Sequence, residues 1–266
     1  MMVSRSSKMI EITNSQLINL KKKDTIVFIH GLGLNLNLWE NQVDFFKKDF
    51  KILIYDLYGH GKSKYDERKP SLDIYCEQLK NLFDFYHIEK STIVGFSLGG
   101  MIARYFCQNY PQHVSNLILL NTPHRRTTHQ QKEIFKRSEN ILNYGLEDSA
   151  NKAIDRWFTS EFIENNKKIT LKIKKWILSN EKNIYNLSYK VLVNDIEKII
   201  SPKPQIISRT LIITSDKDYG NDVRMAKKIN KEISNSTLKI LKNLKHMALV
   251  ENHKEVNKII SNFLKG

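Results

Sequence analysis

A chain of 266 residues, 41% hydrophobic and 27% charged, is long enough to bury a substantial core and too apolar to be disordered. Lys and Arg number 43 against 28 Asp and Glu, a formal net charge of +15, but the positive residues are mostly Lys scattered among Asn and Ile, which argues against nucleic-acid binding. No stretch approaches the roughly 18 apolar residues of a membrane span and residues 1–8 hold no apolar leader segment, so a cytoplasmic protein is expected.

Residues 9–14 and 25–29 read as strands around the Lys21-Lys22-Lys23-Asp24 turn, the second an unbroken apolar run of the kind buried on both faces. It ends in His30-Gly31-Leu32-Gly33, a glycine-bracketed loop at the position where open α/β sheets place ligand contacts. Residues 38–46 form a helix pattern, and 51–56 a second buried strand leading into Leu57-Tyr58-Gly59-His60-Gly61-Lys62-Ser63. This Gly-rich loop lacks the spacing of a phosphate-binding loop. A helix over 72–86 precedes the strand Thr92-Ile93-Val94, which meets Gly95-Phe96-Ser97-Leu98-Gly99 and passes straight into a helix pattern that stops at Pro111. Residues 117–120 give the next strand.

From 123 to 201 the strand rhythm gives way to helix patterns at 131–142, 149–158, 169–178 and 184–200. Strands return at 210–214 and 237–241, each followed by a helix, at 223–229 and 251–264. The expectation is a doubly wound, mostly parallel α/β sheet built from residues 1–122 and 202–266, with 123–201 inserted as a helical lid. Cys76 and Cys107 fall inside helix patterns without metal-ligand spacing and are expected to be buried thiols, and no metal or organic cofactor is implied.

A Gly-x-Ser-x-Gly sequence between a strand and a helix holds its serine on a sharp, strained turn in front of a helix N-terminus, where an oxyanion is favoured. Ser97 is therefore the expected nucleophile, and it needs a base to take its proton and a carboxylate to orient that base. Both types occur downstream at strand ends: Asp216 and Asp218 in one loop, His246 in the next. His253 is a rival base, but its place at the start of the last helix suits a capping or solvated role. His30 and His60 are expected to hold loop backbone, and His87, His113, His124 and His129 to be surface or structural.

His30-Gly31-Leu32-Gly33, Asp56 to Ser63, Gly95 to Gly100, Asp218 and His246 together resemble the α/β-hydrolase superfamily across essentially the whole chain. The resemblance favours Asp218 over Asp216, because the family's carboxylate stands three residues after the small residue ending the strand, here Ser215. It implies an oxyanion hole from the backbone N–H groups of Leu32 and Leu98, with side chains free to shape the pocket, and an acyl-enzyme formed and hydrolysed with His246 as base. Two positions depart from the pattern: Lys245 and Ser215 stand where the family usually has glycine. The serine at the elbow excludes the haloalkane dehalogenases and epoxide hydrolases, which carry aspartate there.

Asp155-Arg156-Trp157-Phe158-Thr159 resembles the lid segment of 3-oxoadipate enol-lactonases, which implies Arg156 and Trp157 as substrate-binding residues and a small carboxylate-bearing lactone as substrate. A small-ester hydrolase, a carbon–carbon bond hydrolase of ring-cleavage products, and a methyl-esterase whose partner is an acidic acyl-carrier protein share this pattern of residues. A non-catalytic small-molecule receptor of the same fold is expected to have lost one of the three side chains, and all three are present here.

Overall fold

The computed structural model describes residues 5–266, and its first elements correct the sequence reading. Residues 9–14 are not a strand: helix α1 (Arg5–Ile12) seats the wholly buried Met9 in the core, and the edge strand β1 (Ser15–Ile18) follows it. A short apolar stretch fits either period, and here contact with the next helices decides. Strand β2 (Thr25–Ile29), helix α2 (Glu40–Phe46), strand β3 (Lys51–Tyr55) and helix α3 (Leu72–Phe85) come next. Strand β4 (Ser91–Phe96), helix α4 (Leu98–Asn109) and strand β5 (Val114–Leu120) complete the first half.

The chain between β5 and β6 is helical. The stretch α5 (Thr128–Trp157) is two helical limbs that abut at Gly145, whose φ of +84° lies in the left-handed region open to glycine, so the two helices expected there are present and run longer than expected up to the break. Helices α6 (Ser160–Asn165), α7 (Lys167–Leu178) and α8 (Lys182–Asn194) follow, the last ending before a 3₁₀ turn and so shorter than expected. Strand β6 (Arg209–Ser215), helix α9 (Val223–Glu232), strand β7 (Ser236–Leu241), the single turn α10 (Ala248–Glu251) and helix α11 (His253–Lys265) close the fold.

The seven strands lie in the order β1-β3-β2-β4-β5-β6-β7, all neighbours parallel except β1 against β3. Alternate residues along each strand serve opposite faces, and both faces are covered. Val27, Ile29, Ile93 and Leu117 pack with α1, α3 and α4, whereas Ile26, Phe28, Val94 and Ile118 pack with Trp39, Phe46 and α11. Cys76 and Cys107 are free and buried, as expected, and burial raises both thiols, Cys76 to about 12.

One carboxylate ties both ends of the helical insertion to the sheet. Glu232, at the end of α9, accepts from Arg104 Nη2 of α4 (2.9 Å), from His124 Nε2 at the start of the insertion (2.9 Å) and from the Ser201 N–H at its end (3.1 Å). Arg104 is wholly buried and also donates to the Ile199 carbonyl at 2.6 Å. Its charge therefore depends on Glu232 for compensation.

His30 and His60 are both buried. His30 Nδ1–H donates to the Gly31 carbonyl (2.8 Å) while its Nε2 accepts from the Leu57 N–H (2.9 Å), so the ring bridges the loops after β2 and β3 as a neutral tautomer. His60 Nδ1–H donates to the Tyr58 carbonyl at 3.1 Å. Burial pulls the His30 imidazolium down to about 4, and burial together with His30 pulls His60 down to about 3.

Glu232→Ala is expected to cost about 3 kcal/mol of unfolding free energy, because it leaves the Arg104 charge buried and unpaired; urea unfolding measures this, and a loss below about 1 kcal/mol counts against the account. The histidines set a second expectation. Unfolded imidazoles bind protons near pH 6.5 and the folded ones only near 4 and 3, so the unfolded state holds more protons in that window. Stability should fall as pH drops from about 6.5 toward 4, by up to about 1.4 kcal/mol per pH unit for each histidine. A urea midpoint unchanged between pH 7 and pH 5 contradicts this.

Candidate active site

Ser97 is the single residue between β4 and α4, at φ +54° and ψ −114°, a conformation a side-chain-bearing residue adopts only under constraint. The constraint is visible on both sides. The Ser97 N–H donates to the Leu120 carbonyl (3.0 Å), and the Ser97 carbonyl accepts from the N–H groups of Gly100 (3.0 Å) and Met101 (3.3 Å). A Cβ on Gly95 would collide with the Gly99 carbonyl, and one on Gly99 with the Ile29 carbonyl of β2. The two glycines thus let α4 start directly against the sheet.

The loops after β6 and β7 bring the other two groups together. Asp218, 3% exposed, accepts His246 Nδ1–H at 2.7 Å through Oδ2. The same oxygen accepts Asn121 Nδ2 at 2.9 Å, and Oδ1 accepts the N–H groups of Gly220 and Asn221, each at 3.1 Å. Four donors therefore fix the carboxylate. With Nδ1 committed to Asp218, the free nitrogen of His246 is Nε2, the lone pair a general base needs. The imidazole lies against Phe96 (ring centroids 4.8 Å apart) and Trp157 (6.0 Å). Asp216 instead accepts the Asn243 N–H (2.8 Å), and His253 opens α11 outside the cavity.

Ser97 and His246 line one cavity of about 480 Å³, and Ser97 Oγ makes no hydrogen bond among the described residues. Contacts between a nucleophile and its base are often loose without substrate and tighten around it. Leu32 borders the same cavity, and among the described residues neither its N–H nor that of Leu98 donates to another group. Asp56 supports the surrounding loops by accepting the N–H groups of Leu36 (2.7 Å) and Lys62 (2.8 Å). The side chain of Leu98 is wholly buried in the core, so of the two leucines expected to shape the pocket only Leu32 does.

The insertion roofs the cavity with Arg156, Trp157, Tyr185 and Tyr189. Arg156 Nη1 donates to the Lys152 carbonyl (2.9 Å), and burial lowers its guanidinium below the usual arginine range. Lys245, in place of the expected glycine, borders the cavity and donates through Nζ to the Asp155 carbonyl (2.7 Å). Ser215, the other departure, is wholly buried and accepts Asn121 Nδ2 at 3.3 Å.

Three participants escaped the sequence reading. Asn121, at φ +46°, holds Asp218 from the end of β5; its only sequence signal is an Asn where the chain turns left-handed. Arg126 and Arg137 line the cavity unannounced, and His129, expected at the surface or in a structural role, is exposed at its edge. Among the described residues no three His, Cys, Asp or Glu side chains gather as a metal site, and no helix is long and apolar enough to cross a membrane.

Known proteins fit this geometry. The chain is 26% identical over 244 residues to 3-oxoadipate enol-lactonase 2 of Acinetobacter baylyi, covering 91% of this chain and 89% of that one. It is 28% identical to the pimeloyl-[acyl-carrier protein] methyl ester esterase of Wigglesworthia glossinidia brevipalpis, over 74% of this chain and 73% of that one. The crystal structure of the enol-lactonase from Burkholderia xenovorans superposes with a TM-score of 0.88 at 20% identity, over 96% of both chains. The sequence profile of the alpha/beta hydrolase fold matches residues 24–253. With a mostly parallel seven-stranded sheet, a serine on its central turn and that profile spanning nearly the whole molecule, the chain belongs to the alpha/beta hydrolase fold family.

Proposed function

We propose that this protein is a serine hydrolase that cleaves a small carboxylic ester or lactone through an acyl-enzyme on Ser97. The observation that carries the reading is the Asp218–His246 hydrogen bond of 2.7 Å, in the same cavity as a strained, unpaired Ser97 Oγ. His246 Nε2 takes the Ser97 proton as Oγ attacks the substrate carbonyl, and the imidazolium that forms is stabilised by Asp218. The oxyanion is received by the N–H groups of Leu98 and Leu32, the first at the positive end of α4. Collapse of the tetrahedral intermediate expels the alcohol, which takes its proton from His246; water activated by the same nitrogen then releases the acid.

The relative named as an enol-lactonase, with Arg156 and Trp157 in the roof, supports a lactone carrying a carboxylate as the finer reading. The relative named as an acyl-carrier protein methyl ester esterase favours a second one, in which an acidic carrier docks on the lysine-rich insertion.

Ser97→Ala is expected to lower kcat for ester hydrolysis by on the order of 10⁶, and Asp218→Asn by about 10⁴, with circular dichroism unchanged. Retained turnover in Ser97→Ala removes the assignment. Between two esters of equal size and leaving group, the one with a terminal carboxylate should show kcat/KM about 10-fold higher or more, about 1.4 kcal/mol of differential transition-state binding. A preference for the neutral ester refutes the carboxylate-bearing substrate and leaves the hydrolase reading standing.

A further inference from the structure

The arginines whose side chains the structure describes divide into two kinds. Arg68 pairs with Asp66 and Glu77, Arg104 with Glu232, Arg125 with Glu197 and Arg224 with Asp222, while Arg209 lies over the Phe263 ring. Arg126, Arg137 and Arg156 have no carboxylate partner among the described residues, and all three line the cavity that holds Ser97. Glu133 and Asp155 border the same cavity without forming an ion pair with any of them.

The three come from separate parts of the insertion. Arg126 precedes α5, Arg137 lies on the first limb of that helix and Arg156 near the end of the second, so the kink at Gly145 brings them to one cavity. Each guanidinium carries five N–H donors. Arg126 spends Nη1 on the Leu192 carbonyl (2.7 Å) and Arg156 spends Nη1 on the Lys152 carbonyl (2.9 Å), while Arg137 makes no hydrogen bond among the described residues. Burial pulls the Arg126 guanidinium down to about 10 and lowers that of Arg156, and the Arg137 charge pushes both the same way. Three guanidinium groups, with Lys245 nearby, thus line a cavity whose own carboxylates Glu133, Asp155 and Asp218 pair with none of the three, and most of the guanidinium donors are free, more than the roughly four acceptor sites of one carboxylate can use. Such an arrangement is relieved by a ligand of higher negative charge.

We infer that the cavity is built for a substrate carrying two negative charges besides the bond that is cleaved, one received at Arg156 and the other at Arg126 and Arg137. This rests on the reading of Ser97 as the reacting group, and it adds a charge count and a second subsite to it. Two separate carboxylates supply one charge to each subsite, whereas a phosphate monoester holds both charges on one group and reaches only one of the two.

The test reads binding apart from chemistry. Full-length Ser97→Ala protein is titrated by calorimetry with methyl butyrate, monomethyl glutarate, a monomethyl ester of propane-1,2,3-tricarboxylate, and a methyl ester bearing one phosphate monoester. At least 10-fold tighter binding of the propane-1,2,3-tricarboxylate monomethyl ester than of monomethyl glutarate is expected, and a phosphate ester that binds more tightly than this dicarboxylate overturns the two-subsite arrangement. Adding Arg137→Met should erase that step and leave the monomethyl glutarate affinity within about 2-fold, since that single carboxylate is received at Arg156 and Arg137 makes no hydrogen bond or ion pair among the described residues. Arg137→Lys, which keeps the charge, should restore part of it. Equal affinity for one and two charges, or a step that survives Arg137→Met in folded protein, overturns the inference. Wild-type turnover of all four esters is measured alongside: turnover of any of them without the charge step sinks this inference alone, and the charge step without turnover of any of the four sinks the hydrolase reading instead.

Discussion

Everything at the centre of this molecule depends on how closely α4 approaches the sheet. A serine held at positive φ is unfavourable by about 1–3 kcal/mol and persists only where its surroundings over-determine it. Here the surroundings are the contacts of Gly95 with Gly99 and of Gly99 with the end of β2, plus the hydrogen bond from the Ser97 N–H to β5. The same approach points the first N–H groups of the helix at the serine and brings the loop of Leu32 beside it. A strand with no cover on one face could not present these atoms, so the two-sided burial of the sheet is part of the chemistry as much as of the stability.

Around that turn the loops are fixed by buried polar groups whose partners lie far away in sequence. His30 joins the loops after β2 and β3, Asp56 gathers the N–H groups of Leu36 and Lys62, and Asn121 crosses from β5 to Asp218. Buried polar networks of this sort are costly when half made and rigid when complete. The donors around Asp218 leave that carboxylate one orientation toward His246.

How much of this could be read beforehand followed the range of the interaction. The elbow was legible because its physics is local: two glycines, a serine, a β-branched run before and a helix after. Strand-end position pointed to His246 and narrowed the carboxylate to Asp216 or Asp218, and only the family resemblance separated those two. Asn121 was not, since its partner stands 97 residues away and nothing near it announces the contact. Arg126 and Arg137 were hidden in a chain already rich in positive charge, and which face of α5 meets the cavity is decided by the kink at Gly145. At the N-terminus a run containing Met9, Ile10 and Ile12 suited a strand as well as a helix, and packing of Met9 into the core chose the helix.

The place where the insertion is moored has an architectural consequence. The chain leaves the sheet at His124 and returns at Ser201, and both points are held by the one side chain of Glu232. Ser97, Asp218 and His246 stand on loops of the sheet, whereas Arg126, Arg137 and Arg156 ride on what lies between the two moorings. The two sets of residues thus sit on different stretches of the chain, and those stretches also meet away from Glu232, where the Leu72 N–H donates to Asp195 (2.8 Å) and the Met247 N–H to the Trp157 carbonyl (2.9 Å). A helical block exchanged between the two moorings would therefore have to keep these mid-block contacts, as well as those of Glu232, for the loops that carry Ser97, Asp218 and His246 to stay as they are.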